Sequence, residues 1–228
     1  MIAPMEILSF LVDTAAFFID LLLHLDRHLV ELLAEYGVWL YAILFLIVFC
    51  ETGLVVTPFL PGDSLLFMAG ALAAGGGLDP LWLIVLLFAA AVLGDTLNYT
   101  IGKHFGRRME HWENSRFFNR RALERTQAFY ARHGGKTIVI ARFMPIIRTF
   151  APFVAGMARM EYRRFVSFNV VGAALWVAPL TMLGYWFGNL PVVKSNLSLV
   201  VIGIVVLSLM PMLVAWWRER SAVARGGI

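Results

Sequence analysis

The chain has 228 residues, of which 60% are hydrophobic and only 15% charged, with a mean hydropathy of +0.77. A soluble domain is about half apolar and about a quarter charged, so the composition excludes an ordinary soluble protein and indicates one polytopic membrane domain over residues 1–228. The net charge of +4 does not point to nucleic acid, because the basic residues collect between apolar segments, as membrane topology requires.

In chain order, residues 5–23 are apolar but carry Asp13 and Asp20, which leaves a marginal span and an interfacial helix both open. The N-terminus has no basic region followed by an Ala-x-Ala site, so no cleavable signal peptide is expected. Leu25, Leu29, Leu32 and Leu33 recur at helical spacing among His24, Asp26, Arg27, His28, Glu31 and Glu35, the pattern of an amphipathic helix on the membrane surface. The two histidines have no third ligand nearby, and no metal site is expected there. Residues 38–50 are strongly apolar but stop at Glu51, short of the ~20 residues a span needs. Pro58, Pro61 and Gly62 then break the backbone beside Asp63, and apolar character resumes over 65–74. Two half-length apolar pieces around a Pro/Gly break predict a re-entrant hairpin, assigned to residues 51–75, whose tip faces protein or a wet cavity.

Residues 80–102 predict a full span carrying Asp95, Asn98 and Tyr99. These three are candidate cavity-lining residues, and for Asp95 a local hydrogen-bonding role is equally open. The polar stretch 103–136 interleaves seven arginines with Trp112, Phe117, Phe118, Phe129 and Tyr130, which reads as an amphipathic helix on anionic headgroups. A second interrupted stretch, 137–158, carries Arg142 and Arg148 with breaks at Pro145, Pro152 and Gly156, and predicts a second hairpin. Spans at 165–188 and 197–217 follow, with Trp82, Trp176, Trp216 and Trp217 expected as interfacial anchors or packing residues. With the central loop inside, 15 of the 19 Lys and Arg lie inside, two (Arg27 and Lys194) lie outside and two (Arg142 and Arg148) lie in the membrane. The two hairpins then open from opposite leaflets, the relation that inverted-topology repeats produce. The glycines at 102, 106, 184 and 188 match in order between the halves and predict close helix packing.

Each ionisable group inside a membrane costs about 2.5–3.5 kcal/mol on insertion scales, so Glu51, Asp63, Arg142 and Arg148 require an explanation. Mutual neutralisation that ties the hairpin tips together is the purely structural one. The functional one gives the arginines, whose planar forks match phosphate, to an anionic headgroup. It gives Glu51 and Asp63 to proton exchange, because a low-dielectric site disfavours a charged carboxylate. A carboxylate that competes with phosphate for arginine couples a proton gradient to headgroup movement.

These residues resemble the DedA family of bacterial inner-membrane proteins, which shares a domain with eukaryotic lipid scramblases. The resemblance rests on Glu51, Pro61-Gly62-Asp63, Gly94-Asp95 through Tyr99 and Gly102, Ala141-Arg142-Phe143 through Pro145, Arg148 and Gly156, and Asn169, Gly172 and Trp176. It covers roughly residues 30–190. It implies an all-helical membrane protein of the inner membrane that depends on proton-motive force and, as in some members, returns undecaprenyl phosphate to the cytoplasmic leaflet. It also implies essential acids at Glu51 and Asp63 and essential arginines at Arg142 and Arg148. The expected partners are protons and undecaprenyl phosphate or another anionic phospholipid, with no cofactor and no nucleic acid, and a homo-oligomer stays open. The central loop and C-terminus are expected in the cytoplasm. Alternatives within transport are a broad phospholipid scramblase and a proton/small-cation antiporter. Outside it stand a lipid-phosphate enzyme and a structural assembly factor. An enzyme is not expected, because the five histidines fall in surface segments and the aspartates do not cluster.

Overall fold

The computed structural model describes residues 25–54, 62–109, 135–194, 196, 199, 200, 202–204, 206, 207 and 210. Residues 5–23, Pro58, Pro61, the amphipathic stretch 117–133 and most of 197–217 lie outside the described residues. Among the described residues every regular element is a helix: α1 (Leu25–Tyr36), a 3-10 turn (Gly37–Trp39), α2 (Leu40–Gly53), α3 (Gly62–Ala74), α4 (Pro80–Met109), α5 (Lys136–Ala141), α6 (Pro145–Met157), α7 (Tyr162–Phe187) and α8 (Pro191–Lys194).

Local sequence explains the boundaries. Gly37, at φ +52°, separates amphipathic α1 from apolar α2. The apolar run does not end at Glu51 as the sequence suggests: α2 continues to Gly53, and residues His28–Gly53 together are long and apolar enough to cross a membrane. Such length is also present in Pro80–Gly106 and Tyr162–Phe187. Asp79 accepts a 2.9 Å hydrogen bond from the Trp82 N–H and caps α4, with Pro80 at its first position. The residue before a proline avoids the helical region, and Met144 (φ −121°, ψ 104°) accordingly divides α5 from α6.

The helix directions follow from the contacts. The Tyr41 hydroxyl meets the Asp79 backbone and Gly53 meets Gly94, so α2 and α4 run parallel. Gly70 faces Thr181 and Gly188 faces Ala71, so α3 runs parallel to α7. Asn169 bonds the Val92 carbonyl while Tyr99 stacks on Phe165, so α4 and α7 are antiparallel. The chain therefore turns back between α2 and α3. At ~20 Å, α3 falls short of a ~30 Å hydrocarbon core, whereas His28–Gly53, α4 and α7 are long enough to cross it.

The helices α3 and α6 pack on the opposite half of the sequence, while α2 and α5 pack within their own. A Cβ at Gly70 would strike the Thr181 carbonyl, one at Gly184 the Phe67 carbonyl, and one at Gly188 the Ala71 side chain. Gly156 stands in the same relation to the Tyr99 carbonyl, Gly102 to the Phe153 carbonyl and Gly106 to Met157. The spacings along the two pairs of helices are identical, so α3–α7 and α6–α4 are copies of one backbone-close seam. Gly94 approaches Thr52 on α2, and Gly172 approaches Arg142 at the end of α5. Two interlocked groups result, α2–α4–α6 and α3–α5–α7, in contact chiefly where α4 crosses α7.

Overpacking costs about 1–3 kcal/mol. Gly70→Val and Gly156→Val are each expected to lower the unfolding temperature of the purified protein in detergent, while Gly203→Ala, with open space around it, leaves it unchanged.

Candidate functional site

The ends of the short helices bring the membrane-embedded charges together. Glu51 and Thr52 lie in the last turn of α2, Asp63 in the first turn of α3, Arg142 at the end of α5 and Arg148 in the first turn of α6. Asp95 and Asn98 come from α4, and Asn169 and Trp176 from α7. Asp95 is the 16th residue of the 30 in α4 and Trp176 the 15th of the 26 in α7, so the cluster sits near the middle of both long helices.

Arg148 is held by two acids. Its Nη1 donates to Asp63 Oδ1 at 2.8 Å and its Nη2 donates to Glu51 Oε1. The Gly62 N–H also donates to Glu51 Oε1, at 3.2 Å, which ties the start of α3 to the end of α2. Arg142 donates through Nη2 to Asp95 and, at 2.6 Å, to Asn169 Oδ1. Asn169 in turn donates to the Val92 carbonyl at 3.1 Å. Asn98 Nδ2 donates to the carbonyls of Thr52 (3.0 Å) and Thr149 (2.7 Å), joining the two hairpins across α4.

Burial is nearly complete: Glu51 is 1% exposed, Arg142 4% and Arg148 8%. Three carboxylates face two guanidiniums, which leaves one excess negative charge in the cluster when all are ionised. Arg142 Nη1 and Arg148 Nε have no hydrogen-bond partner among the described residues. A cavity of about 10 Å³, lined by Thr52, Asp95, Ile138, Arg142, Arg148, Pro152 and Trp176, opens beside them. That volume suits about one water molecule, not a phosphate.

The four charges that the sequence placed on separate hairpins thus share one site, with Asp95 and Asn98 beside them. Tyr99, expected to line the cavity, does not. It lies one turn beyond Asp95 on the same face of α4, where it stacks on Phe165 and donates to the Met160 carbonyl. Trp176, read as an anchor or packing residue, is instead at the centre of the cluster. Its ring lies under the Arg148 and Arg142 guanidiniums at 4.7 and 5.7 Å, and its N–H donates to Asp63 Oδ1 at 2.7 Å. Its place with Asn169 and Gly172 among the residues that carry the family resemblance, on one face of α7, pointed this way. Trp82 is two-thirds exposed near the start of α4. Pro152 and Gly156, read from sequence as breaks, lie inside continuous α6: Pro152 lines the cavity, and Gly156 belongs to the α6–α4 seam. Among the described residues no group of His, Cys, Asp and Glu is arranged for a metal ion.

The VTT domain model matches residues 60–186. The chain is 56% identical to "Protein DedA" of Escherichia coli (strain K12) over 215 residues, 93% of this chain and 98% of that protein. It is 43% identical to an uncharacterised membrane protein of Mycobacterium leprae (strain TN) over 182 residues, 78% of this chain and 82% of that one. It is 35% identical to "Inner membrane protein YqjA" of Escherichia coli (strain K12) over 190 residues, 79% and 86% of the two chains. No solved structure matches.

Removing one partner of a buried ion pair costs about 3–5 kcal/mol. Asp95→Ala is therefore expected to lower the unfolding temperature sharply, and Asp95→Ala with Arg142→Ala to lower it by less than the sum of the single variants. Thermal unfolding of all four proteins in detergent closes the cycle.

Proposed function

Because the chain belongs to the DedA family of VTT-domain membrane proteins, we propose that it is a proton-driven transporter that carries a lipid phosphate between leaflets. The cargo in this reading is undecaprenyl phosphate, recycled for cell-envelope synthesis. One observation carries the proposal. Two buried guanidiniums, gathered over one indole ring, are held by carboxylates, and each keeps an N–H that no described residue accepts.

A phosphate monoester offers several acceptor oxygens and a charge near that of two carboxylates, so it can replace the acids on both forks. Protonation of Glu51 or Asp63 weakens its hold on Arg148 and lets phosphate in. Deprotonation restores the ion pair and expels phosphate to the other leaflet. The described conformation, with its water-sized cavity, is the closed and acid-occupied state of this cycle.

In the bilayer, α2–α3 and α5–α6 serve as re-entrant hairpins open to opposite leaflets. The central basic stretch and the C-terminus face the cytoplasm of the bacterial inner membrane. The chain's own groups do no bond-breaking chemistry in this reading, which therefore assigns no enzymatic activity. Exchange of protons for a small cation is a second reading, favoured by the third carboxylate, Asp95.

Lysine keeps the charge but not the fork. Arg148→Lys is expected to reduce undecaprenyl phosphate transfer in proteoliposomes by about tenfold or more. Transfer at the wild-type rate removes the phosphate-fork argument. Glu51→Gln is expected to transfer lipid without responding to an imposed pH gradient, and an unchanged response leaves the mechanism without its switch. Single cysteines near Pro61 and Pro145 are expected to react with impermeant thiol reagents from opposite sides. Reaction from the same side contradicts the opposed hairpins.

A further inference from the structure

We propose that Trp176 is a positioning residue of the phosphate site, and that its indole N–H holds the Asp63 carboxylate at the moment Arg148 leaves it for phosphate. The inference rests on the lipid-phosphate reading, to which it adds the group that makes exchange affordable in a low dielectric. Asp63 Oδ1 accepts from two donors of different kinds, Arg148 Nη1 at 2.8 Å and Trp176 Nε1 at 2.7 Å. Arg148 stands on α6 and Trp176 on α7, the helix against which α3 and its Asp63 are seamed by Gly70 and Gly184. Departure of Arg148 in the α2–α4–α6 group therefore leaves the Trp176–Asp63 bond inside the α3–α5–α7 group intact.

The donor is suited to that task. An indole N–H is donor-only and does not titrate, so it favours the carboxylate without neutralising it or competing with phosphate. The ring face does separate work. It attracts both guanidiniums, which repel each other, and keeps them on one side of the cavity. Trp176 is itself 2% exposed, so bulk solvent does not reach either contact. Among the described residues, the charged groups paired around Asp63 include Arg148 from α6 and Glu51 from α2, which shares Arg148; Arg142 and Asp95, from the end of α5 and from α4, lie on the same cavity as Trp176.

Trp176→Phe removes the N–H and keeps a ring under the guanidiniums. The test measures undecaprenyl phosphate binding to the full-length protein in detergent across pH. On the alkaline side, where Asp63 is charged, Trp176→Phe is expected to bind about tenfold more weakly than wild type, the effect of one hydrogen bond to a charged group. On the acid side the two proteins are expected to bind alike, because a protonated Asp63 releases Arg148 unaided. With Asp63→Asn present, adding Trp176→Phe is expected to change nothing further. A deficit equal at both pH extremes, no deficit at either, or one that persists with Asp63→Asn overturns the proposal.

Thermal unfolding of the same variants needs no lipid. At alkaline pH, Trp176→Phe and Asp63→Asn are expected to be coupled, and simple additivity contradicts the inference. If wild type does not bind undecaprenyl phosphate, the transport reading falls, and this unfolding cycle still decides whether Trp176 holds Asp63.

Discussion

A buried guanidinium needs an anion beside it, and this chain buries two. Everything near the middle of the protein serves that requirement. The ends of α2 and α5 and the starts of α3 and α6 deliver Glu51, Asp63, Arg142 and Arg148 to one place. The long helix α4 adds Asp95, without which Arg142 would lack a carboxylate. Asn98 bonds the carbonyls of Thr52 and Thr149 and Asn169 that of Val92, so both amides fix neighbouring backbones around the charges. Apolar replacements of similar shape often match or exceed the stability of such pairs, so stability alone gives no reason for an apolar chain to retain five charges here.

The exchanged packing of the hairpins gives those charges a mechanical meaning. Within the α2–α4–α6 group, Asn98 ties Thr52 to Thr149 and Arg148 contacts Glu51. Within the α3–α5–α7 group, Asn169 contacts Arg142 and Trp176 contacts Asp63. Two ion pairs cross from one group to the other, Arg142–Asp95 and Arg148–Asp63. The glycine seams bring backbones within reach of each other, and such contacts resist sliding. Relative movement of the two groups is therefore cheapest where only side chains meet, and the two crossing ion pairs lie there. A ligand that binds guanidinium in place of carboxylate acts directly on that boundary.

Much of this was legible from sequence, for physical reasons. Charges and prolines inside apolar runs are costly, so Glu51, Asp63, Arg142 and Arg148 announced themselves, and the glycines of α4 and α7 recurred at a spacing that only close packing explains. What depended on long-range contact was hidden. Asp95 sits on a helix of full length, where a local hydrogen bond was an equally good reading until Arg142 appeared opposite. An aromatic residue on an apolar span reads by default as an anchor, which concealed Trp176, and Tyr99 looked like a neighbour of Asn98 although the two side chains leave α4 in different directions. No periodicity reveals that each hairpin leans on the other half of the chain. The end of α2 was misplaced because Glu51 interrupts hydropathy without interrupting the helix.

The most direct test of a lipid-phosphate carrier is leaflet transfer by the wild-type protein in proteoliposomes that contain undecaprenyl phosphate and common phospholipids, with and without an imposed pH gradient. The site described here predicts that undecaprenyl phosphate moves, that the gradient accelerates and directs it, and that zwitterionic phospholipids lag far behind. Equal movement of every lipid irrespective of the gradient, or no movement of undecaprenyl phosphate at all, would contradict it.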